Sequence, residues 1–255
     1  MNTAKEKESL ARKRIQRLNR FLPCRGKMID IGSGMGHFLQ VARENGFDAI
    51  GIEPGLEGAS FCRDNLNIDI FESIDSMEDT ESESFDAVTL WDVWEHVHEP
   101  ARFINKCIHL LRKGGILAVS TSNASSLAAK IFRGNWRYVM AHHLSYFTYP
   151  FAVRTITESG MNFVYEEHTI KVQCFIEGFL SWMPLKFDSA DLLRIGQQND
   201  PGDAGSSADN CNEYSGKYYS ASSWILGNIR KIVLGINRSS FPLPVGDMME
   251  LYFRR

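Results

Sequence analysis

Seven residues, Asp30-Ile31-Gly32-Ser33-Gly34-Met35-Gly36, stand where an apolar run gives way to a helical pattern. Three glycines in five positions let the backbone turn tightly and let a ligand approach without Cβ atoms in the way. A helix that follows presents free N–H groups. That combination suits a nucleoside-type ligand. Glu53 comes 23 residues after Asp30, at the end of a second apolar run, where a carboxylate can accept hydrogen bonds from both ribose hydroxyls. A dinucleotide fingerprint G-x-G-x-x-G would need its third glycine at position 37, which is His37. A carboxylate at Asp30 also suits a cationic or amine-bearing ligand better than a diphosphate, so a nicotinamide dinucleotide is the lesser reading.

A second group, Asp92-Val93-Trp94-Glu95-His96, follows the fourth apolar run. If a helix starts there, Asp92, Glu95 and His96 stand at i, i+3 and i+4 and share a face. Three readings are open at this point. His96 is a general base for an acceptor hydroxyl, or the three residues hold a divalent metal, or they cap and pack a helix start. His142 and His143, in the stretch AHHLSYFTYP, are either a further base or ligand, or part of a loop packed on the sheet edge. Trp91, Trp94, Trp136, Tyr138, Tyr146, Phe147 and Tyr149 flank these groups, as aromatic walls for a flat or apolar acceptor or as core. His37, His98, His109 and His168 read as incidental.

These groups need elements to hold them, and the chain alternates short apolar runs with helical segments, the pattern of an α/β sheet with crossover helices. Strands are predicted over 27–31, 47–52, 68–71, 85–90 and 115–120, and helices over 37–45, 56–65 and from Pro100 to the glycines at 114 and 115. Pro at a first helical position and Gly past the last are start and stop signals. Both chemical groups then lie at the carboxyl ends of strands, where open α/β sheets bind ligands. Residues 72–86 hold seven Asp or Glu and no Lys or Arg, and read as an exposed loop. Residues 121–150 show no period, 151–160 read as a helix ending at Gly160, and 162–170 alternate as a strand.

An amphipathic helix is predicted over residues 4–22, preceding a core at 27–171. Residues 1–27 hold nine Lys or Arg against two Glu, read either as a docking face for an acidic partner or as a solvated helix face. Residues 172–240 read as a helical lid with a mobile tract near 199–217. Phe175, Phe179, Trp182 and Met183 there would close the acceptor pocket or form a dimer contact. The final MMELYFRR returns to the core as an edge strand within 241–255.

Across 255 residues, 44% hydrophobic and 23% charged, with 20 glycines and 8 prolines, the composition excludes disorder, collagen and coiled coil. A net charge of −3 gives no general attraction to nucleic acid or to an anionic membrane, so no nucleic-acid partner is expected. Cysteines at 24, 62, 107, 174 and 211 form no C-x-x-C pair, which points to a reducing compartment. With no apolar leader and no apolar membrane span, a cytoplasmic location is expected.

The runs D-I-G-S-G-M-G, I-G-I-E-P, F-D-A-V-T-L-W-D-V-W-E-H-V and L-L-R-K-G-G-I-L-A-V-S, in that order over about residues 20–170, resemble the class I S-adenosylmethionine-dependent methyltransferases. Within that class they resemble the subgroup that includes the ubiquinone-pathway O-methyltransferases. The resemblance implies an α/β fold, a Rossmann-like seven-stranded, mostly parallel sheet with a reversed last hairpin, to which the helical lid is added. It implies S-adenosyl-L-methionine as cofactor, its methionine part on the turn formed by Asp30, Gly32, Ser33, Gly34 and Gly36. The ribose would lie on Glu53 with Pro54 beside it, and the adenine by Ile74 and Asp75, with Trp91 and Asp92 completing the set. Some relatives place a metal on an E-x-x-E-H element, which Asp92, Glu95 and His96 match with Asp in the first place. The expected function is methyl transfer to a small-molecule acceptor through an oxygen nucleophile, with His96 and His143 as candidate bases, in a monomer or homodimer. The alternatives are a catalytically silent cofactor-binding or interaction module, and an NAD-dependent oxidoreductase.

Overall fold

The computed structural model describes residues 4–22, 24–77, 82–169 and 246–255. The expected lid at 172–240, with Phe175, Phe179, Trp182 and Met183, lies outside the described residues. Seven strands form one sheet: β1 (Lys27–Ile31), β2 (Asp48–Ile52), β3 (Ile70–Phe71), β4 (Phe85–Trp91), β5 (Leu111–Ser122), β6 (Asn162–Thr169) and β7 (Met248–Arg254). Their spatial order is β3-β2-β1-β4-β5-β7-β6. Neighbours from β3 to β5 pair in parallel, whereas β7 is antiparallel to both β5 and β6. The reversed hairpin is therefore present. Because β1 pairs with β2 on one side and β4 on the other, the strand order switches there and a crevice opens at the carboxyl ends.

Period-two alternation fills two layers. Along β5, Ile116 and Ala118 face the cluster that contains Ala11, Ile15 and Leu18 of α1 (Ala4–Phe21), Leu39 of α2 (His37–Glu44) and Cys62 of α3 (Leu56–Leu66). Leu117 and Val119 face the other layer, with Ile104 and Ile108 of α4 (Pro100–Leu110) and Ile156 of α6 (Tyr149–Glu158). Each fully buried Leu or Ile contributes about 1.5–3 kcal/mol, so α1 is held by tertiary burial more than by its own propensity. No helix among the described residues is long and apolar enough to cross a membrane.

The structure corrects several expectations. β7 is not an edge strand: it lies between β5 and β6 and six of its seven residues are buried, while β6 forms the edge and has none buried. Its near-continuous apolar run is that of a strand covered on both faces. The basic face of α1 is neither wholly solvated nor wholly free for a partner. Arg14 Nε donates to Glu250 at 2.9 Å, Arg17 Nη1 donates to Glu250 at 2.6 Å, and Arg17 also pairs with Glu167. α4 stops at Leu110, ahead of the glycines, because β5 already begins at Leu111. α6 starts earlier than predicted, with Pro150 in its first turn. The aperiodic tract holds a helix the sequence reading missed, α5 (Leu127–Phe132), capped by Ser126, whose Oγ accepts from Ala129 N at 3.0 Å. Six residues are too few to show a period.

Candidate functional site

The chain leaves β1 through Gly32 (φ 74°), Gly34 (φ 53°) and Gly36 (φ 72°), all in the left-handed region that costs other residues about 1–2 kcal/mol each. Gly32 N and Ser33 N donate to Ile52 O at 2.7 and 3.1 Å, tying the turn to the end of β2. The Glu53 carboxylate accepts from Gly34 N and from Gly55 N, each at 2.7 Å. From below the turn is closed: a Cβ at Gly32 would lie 2.4 Å from Val93 Cγ2, and one at Gly58 would lie 2.7 Å from Gly34 O. Above Gly34 a Cβ would meet nothing within 4 Å. Ser33 Oγ and Trp91 Nε1 are buried without a partner among the described residues, although neither residue lines the cleft beyond the turn.

Beyond the turn, the ends of β1, β2 and β4 border an open cleft of about 630 Å³, a volume suited to a nucleoside. Of the expected residues, Gly32, Glu53, Pro54, Ile74, Asp75 and His96 line it. Ser73 fixes the stretch after β3 by accepting from Asp75 N at 3.1 Å. The sequence reading missed Glu72, Ser73, Val93, Val97, His98 and a face of α4 carrying Arg102, Phe103 and Lys106. The α4 set was findable: with Glu99 these residues recur at helical spacing at the start of a helix that opens on the carboxyl edge. Lys106 pairs with Asp75, and Arg102 with Glu99 at 3.1 Å.

Asp30 does not line the cleft. Ile29 and Ile31 face the α4 layer, so residue 30 points toward α1, only 2% exposed, where its carboxylate accepts from Thr89 Oγ1 at 2.6 Å. Burial pushes its pKa up to about 7, against the Thr89 hydrogen bond and the positive charge of Arg14. Trp91 packs edge-on to Phe38 at 5.2 Å, and the Arg14 guanidinium lies 4.1 Å from the Trp91 ring centre.

The group after β4 does not start a helix, so its expected shared face is not formed. Asp92 takes φ 61°, and Trp94–His96 is a single 3-10 turn. Ser120 Oγ donates to Asp92 Oδ1 at 2.7 Å. Glu95 turns inward, 2% exposed, and accepts from Thr121 Oγ1 at 2.9 Å. Burial first, then the charge of Asp92, raises its pKa to about 7. Trp94 stacks on Phe147 at 4.0 Å, and Trp94, Trp136, Tyr138 and Phe147 are all buried, so these four are core and not pocket wall.

His96 instead meets His142 and His143, with ring centres 5.2 and 4.8 Å away. Its Nδ1 donates to His142 O at 2.8 Å, leaving Nε2 as its basic nitrogen. Leu144 N and Ser145 N donate to Glu95 O at 2.8 and 3.1 Å, which fixes this loop on the Trp94–His96 turn. Burial, then the neighbouring His96 and His142, lowers the pKa of His143. Of the histidines read as incidental, His98 lines the cleft, whereas His109 hydrogen-bonds Ser82 and His168 packs edge-on to Tyr149.

A left-handed glycine turn backed by an acid at the end of β2, on a parallel sheet with a reversed hairpin, defines a Rossmann-like nucleoside-binding fold of the methyltransferase type. Residues 4–162 match the family model described as "Methyltransferase domain", and the chain belongs to that family. The cofactor of that class is S-adenosylmethionine. The open cradle over Gly34, with Glu53 beside it, fits it. A ubiquinone biosynthesis O-methyltransferase of Psychrobacter arcticus is 31% identical over 105 residues, 38% of this chain and 41% of that protein. The chain thus spans about two fifths of the length of that curated relative. A methyltransferase from Archaeoglobus fulgidus, described as SAM dependent, shares the fold with a TM-score of 0.58 at 15% identity, over 97% of this chain and 94% of the other. The [4+2]-cyclase SpnF does so with 0.57 at 16% identity, over 98% and 81%. A cyclase on this fold means that the site, and not the sheet, must argue the reaction.

Gly58 offers a test of the cradle. Ala for Gly in a helix normally adds up to about 1 kcal/mol of stability. Here the new methyl would push on the Gly34 carbonyl. Gly58→Ala should weaken binding of S-adenosylhomocysteine at least tenfold, about 1.4 kcal/mol, in protein that a thermal melt run beside the calorimetric titration shows to be folded.

Proposed function

We propose that the chain binds S-adenosylmethionine along the Gly32–Gly36 turn and transfers its methyl group to an oxygen of a small molecule. The observation that carries this reading is the Glu53 carboxylate held against Gly34 at the mouth of the cleft. In this assignment Gly32, Ser33, Gly34 and Gly36 take the methionine end, and Asp30 sets the turn from behind. Glu53 and Pro54 take the ribose, Ile74 and Asp75 border the adenine, and Trp91 and Asp92 border the reacting end. When bound, the cofactor supplies a methyl carbon already activated by its sulfonium.

The chain's own work is then to align the acceptor and exclude water, effects worth several kcal/mol. An acceptor hydroxyl must also lose its proton, and the candidate bases are His96, which lines the cleft, and His143 packed against it. They act either by taking the proton directly or by holding a cation that makes it leave. The O-methyltransferase name of the curated relative supports oxygen as the methylated atom. Free Cys24, Cys62 and Cys107 accord with a cytoplasmic setting, and the net charge of −3 with a small-molecule acceptor in place of a nucleic acid. The catalytic unit in this reading is a monomer or a homodimer.

Label transfer from methyl-labelled S-adenosylmethionine to a panel of phenols, catechols and amines tests the reading. Label should reach the hydroxylated compounds. His96→Asn should lower kcat about 100-fold or more and leave the affinity for S-adenosylhomocysteine unchanged. Transfer to amines alone would overturn the oxygen assignment.

A further inference from the structure

We propose that Arg14 of α1 and Ser120 of β5 are positioning residues that hold the Asp92 carboxylate where it favours the cofactor's sulfonium over the neutral sulfur of the product. This rests on the reading above, in which Asp92 borders the reacting end. Arg14 stands in the buried stripe of α1, between Ala11 and Leu18 and beside Ile15, and is itself buried. A buried ion pair is often no more stabilising than apolar side chains of similar volume, so packing alone does not call for a guanidinium there. What sets Arg14 apart is its reach. Its Nε donates to Glu250 at 2.9 Å, its Nη2 donates to Ser120 Oγ at 3.2 Å, and its guanidinium carbon lies 4.1 Å from the centre of the Trp91 ring.

Ser120 converts that reach into an orientation. A serine hydroxyl has one proton to donate and two lone pairs to accept with. Arg14 Nη2 and Asp92 N donate to it at 3.2 and 3.0 Å, so its own proton is left for Asp92 Oδ1, at 2.7 Å. Asp92 N also donates to the Ser120 carbonyl at 3.1 Å. Asp92 needs such a hold, because its φ of 61° lies in the left-handed region, about 1–2 kcal/mol uphill for a residue with a side chain. The contacts run from two buried groups, Arg14 and Ser120, to an exposed one, Asp92, at the carboxyl end of β4 and next to Val93 of the cleft wall. Glu95, the other carboxylate of this turn, is buried on Thr121.

The two ligands of the proposed reaction differ at one atom. S-adenosylmethionine carries a positive sulfonium and S-adenosylhomocysteine a neutral thioether, because the bonding pair stays on sulfur when the methyl carbon passes to the acceptor oxygen. A carboxylate fixed toward that sulfur attracts the first ligand and is indifferent to the second. A carboxylate free to turn into bulk water is screened and discriminates less. The Arg14 charge works in the opposite sense, since a cation near the site repels a sulfonium, and Glu250 offsets it by pairing. Arg14 therefore acts through the hydrogen bond to Ser120 and not through its charge, and the device lets the spent cofactor leave more readily than the loaded one.

The test is calorimetric titration of S-adenosylmethionine and, separately, of S-adenosylhomocysteine into the full chain and its variants, each checked to be folded. Ser120→Ala and Asp92→Asn should each weaken the first ligand about fivefold or more relative to the second. With Asp92→Asn in place, Ser120→Ala should add less than about twofold, because both act on one carboxylate. Arg14→Lys keeps the charge and the pair with Glu250, has no fork to reach Ser120 as well, and should shift the ratio in the same direction. Two controls separate this from damage to the fold. Arg17→Lys loosens the same ion-pair cluster from the side of Glu250 and Glu167, and Ser122→Ala removes a buried hydroxyl of β5 that has no partner among the described residues. Both should leave the ratio within about twofold of wild type, since loss of stability alone weakens the two ligands alike. A ratio left at the wild-type value by Ser120→Ala, Asp92→Asn or Arg14→Lys overturns the positioning role. Folded wild type that binds neither ligand overturns instead the methyltransferase reading, and the positioning role with it.

Discussion

Glu250→Ala should destabilise the protein by about 3–5 kcal/mol, read as a lower urea midpoint at unchanged slope. Glu250 is buried on β7, between β5 and β6, and accepts from Arg14, Arg17 and the Tyr252 hydroxyl. Both guanidinium groups are nine-tenths buried or close to it, at 10% and 13% side-chain exposure. Removing the shared carboxylate leaves Arg14 without its ion-pair partner, while Arg17 retains Glu167. Truncating one member of a buried pair costs far more than the pair itself contributes, because the remaining charge is stranded away from water. Glu250→Gln keeps the shape and part of the hydrogen bonding, and should fall between wild type and the Ala variant. The effect should reach the cleft edge as well. Arg14 also donates to Ser120 Oγ at 3.2 Å, and that hydroxyl holds Asp92.

Asp30→Asn should stabilise the protein at pH 8, by on the order of 3–4 kcal/mol, and leave it nearly unchanged at pH 4. The sign follows from the direction of the pKa shift. Asp30 rises from its usual 3.8 to about 7 in the fold, with burial the main cause. Between those two values the folded state binds the proton and the unfolded state does not, so stability falls as pH rises through that window. Above about pH 7 both states are ionised and the folded state carries the full cost of a buried carboxylate. An Asn amide oxygen accepts from Thr89 as the carboxyl does, without the charge. Glu95, raised to about 7 in a similar way, adds a second contribution of the same sign, so the Asp30→Asn profile should be flatter than wild type but not flat. Urea midpoints at a series of pH values check both.

The parts of this architecture that depend on neighbours in sequence were legible in it. The glycine turn and Glu53 sit at strand ends marked by apolar runs, and the glycines require a local backbone conformation that only the turn explains. Strand identity followed from period, and the approximate limits of α2 and α3 followed as well. What escaped depends on partners far along the chain. Arg14 and Arg17 reach Glu250 across 236 and 233 residues, so no local charge count could turn them inward. β7 reads as a terminal strand, and only its pairing with both β5 and β6 moves it into the interior. The helical spacing assumed for Asp92, Glu95 and His96 failed at one residue, Asp92, whose positive φ breaks the register. Glu95 then faces the core and His96 faces a loop 46 residues away. Asp30 does not line the cleft because the pleat sends it to the opposite layer.

In the proposed function the Gly32–Gly36 turn and Glu53 hold S-adenosylmethionine. Its most direct test is calorimetric titration of S-adenosylhomocysteine, and in parallel of NAD, into wild type and Glu53→Ala, each checked to be folded. The first ligand alone should bind with micromolar affinity, weakened at least tenfold in the variant, about 1.4 kcal/mol or more. Folded wild type that binds NAD in preference, or binds neither, contradicts it.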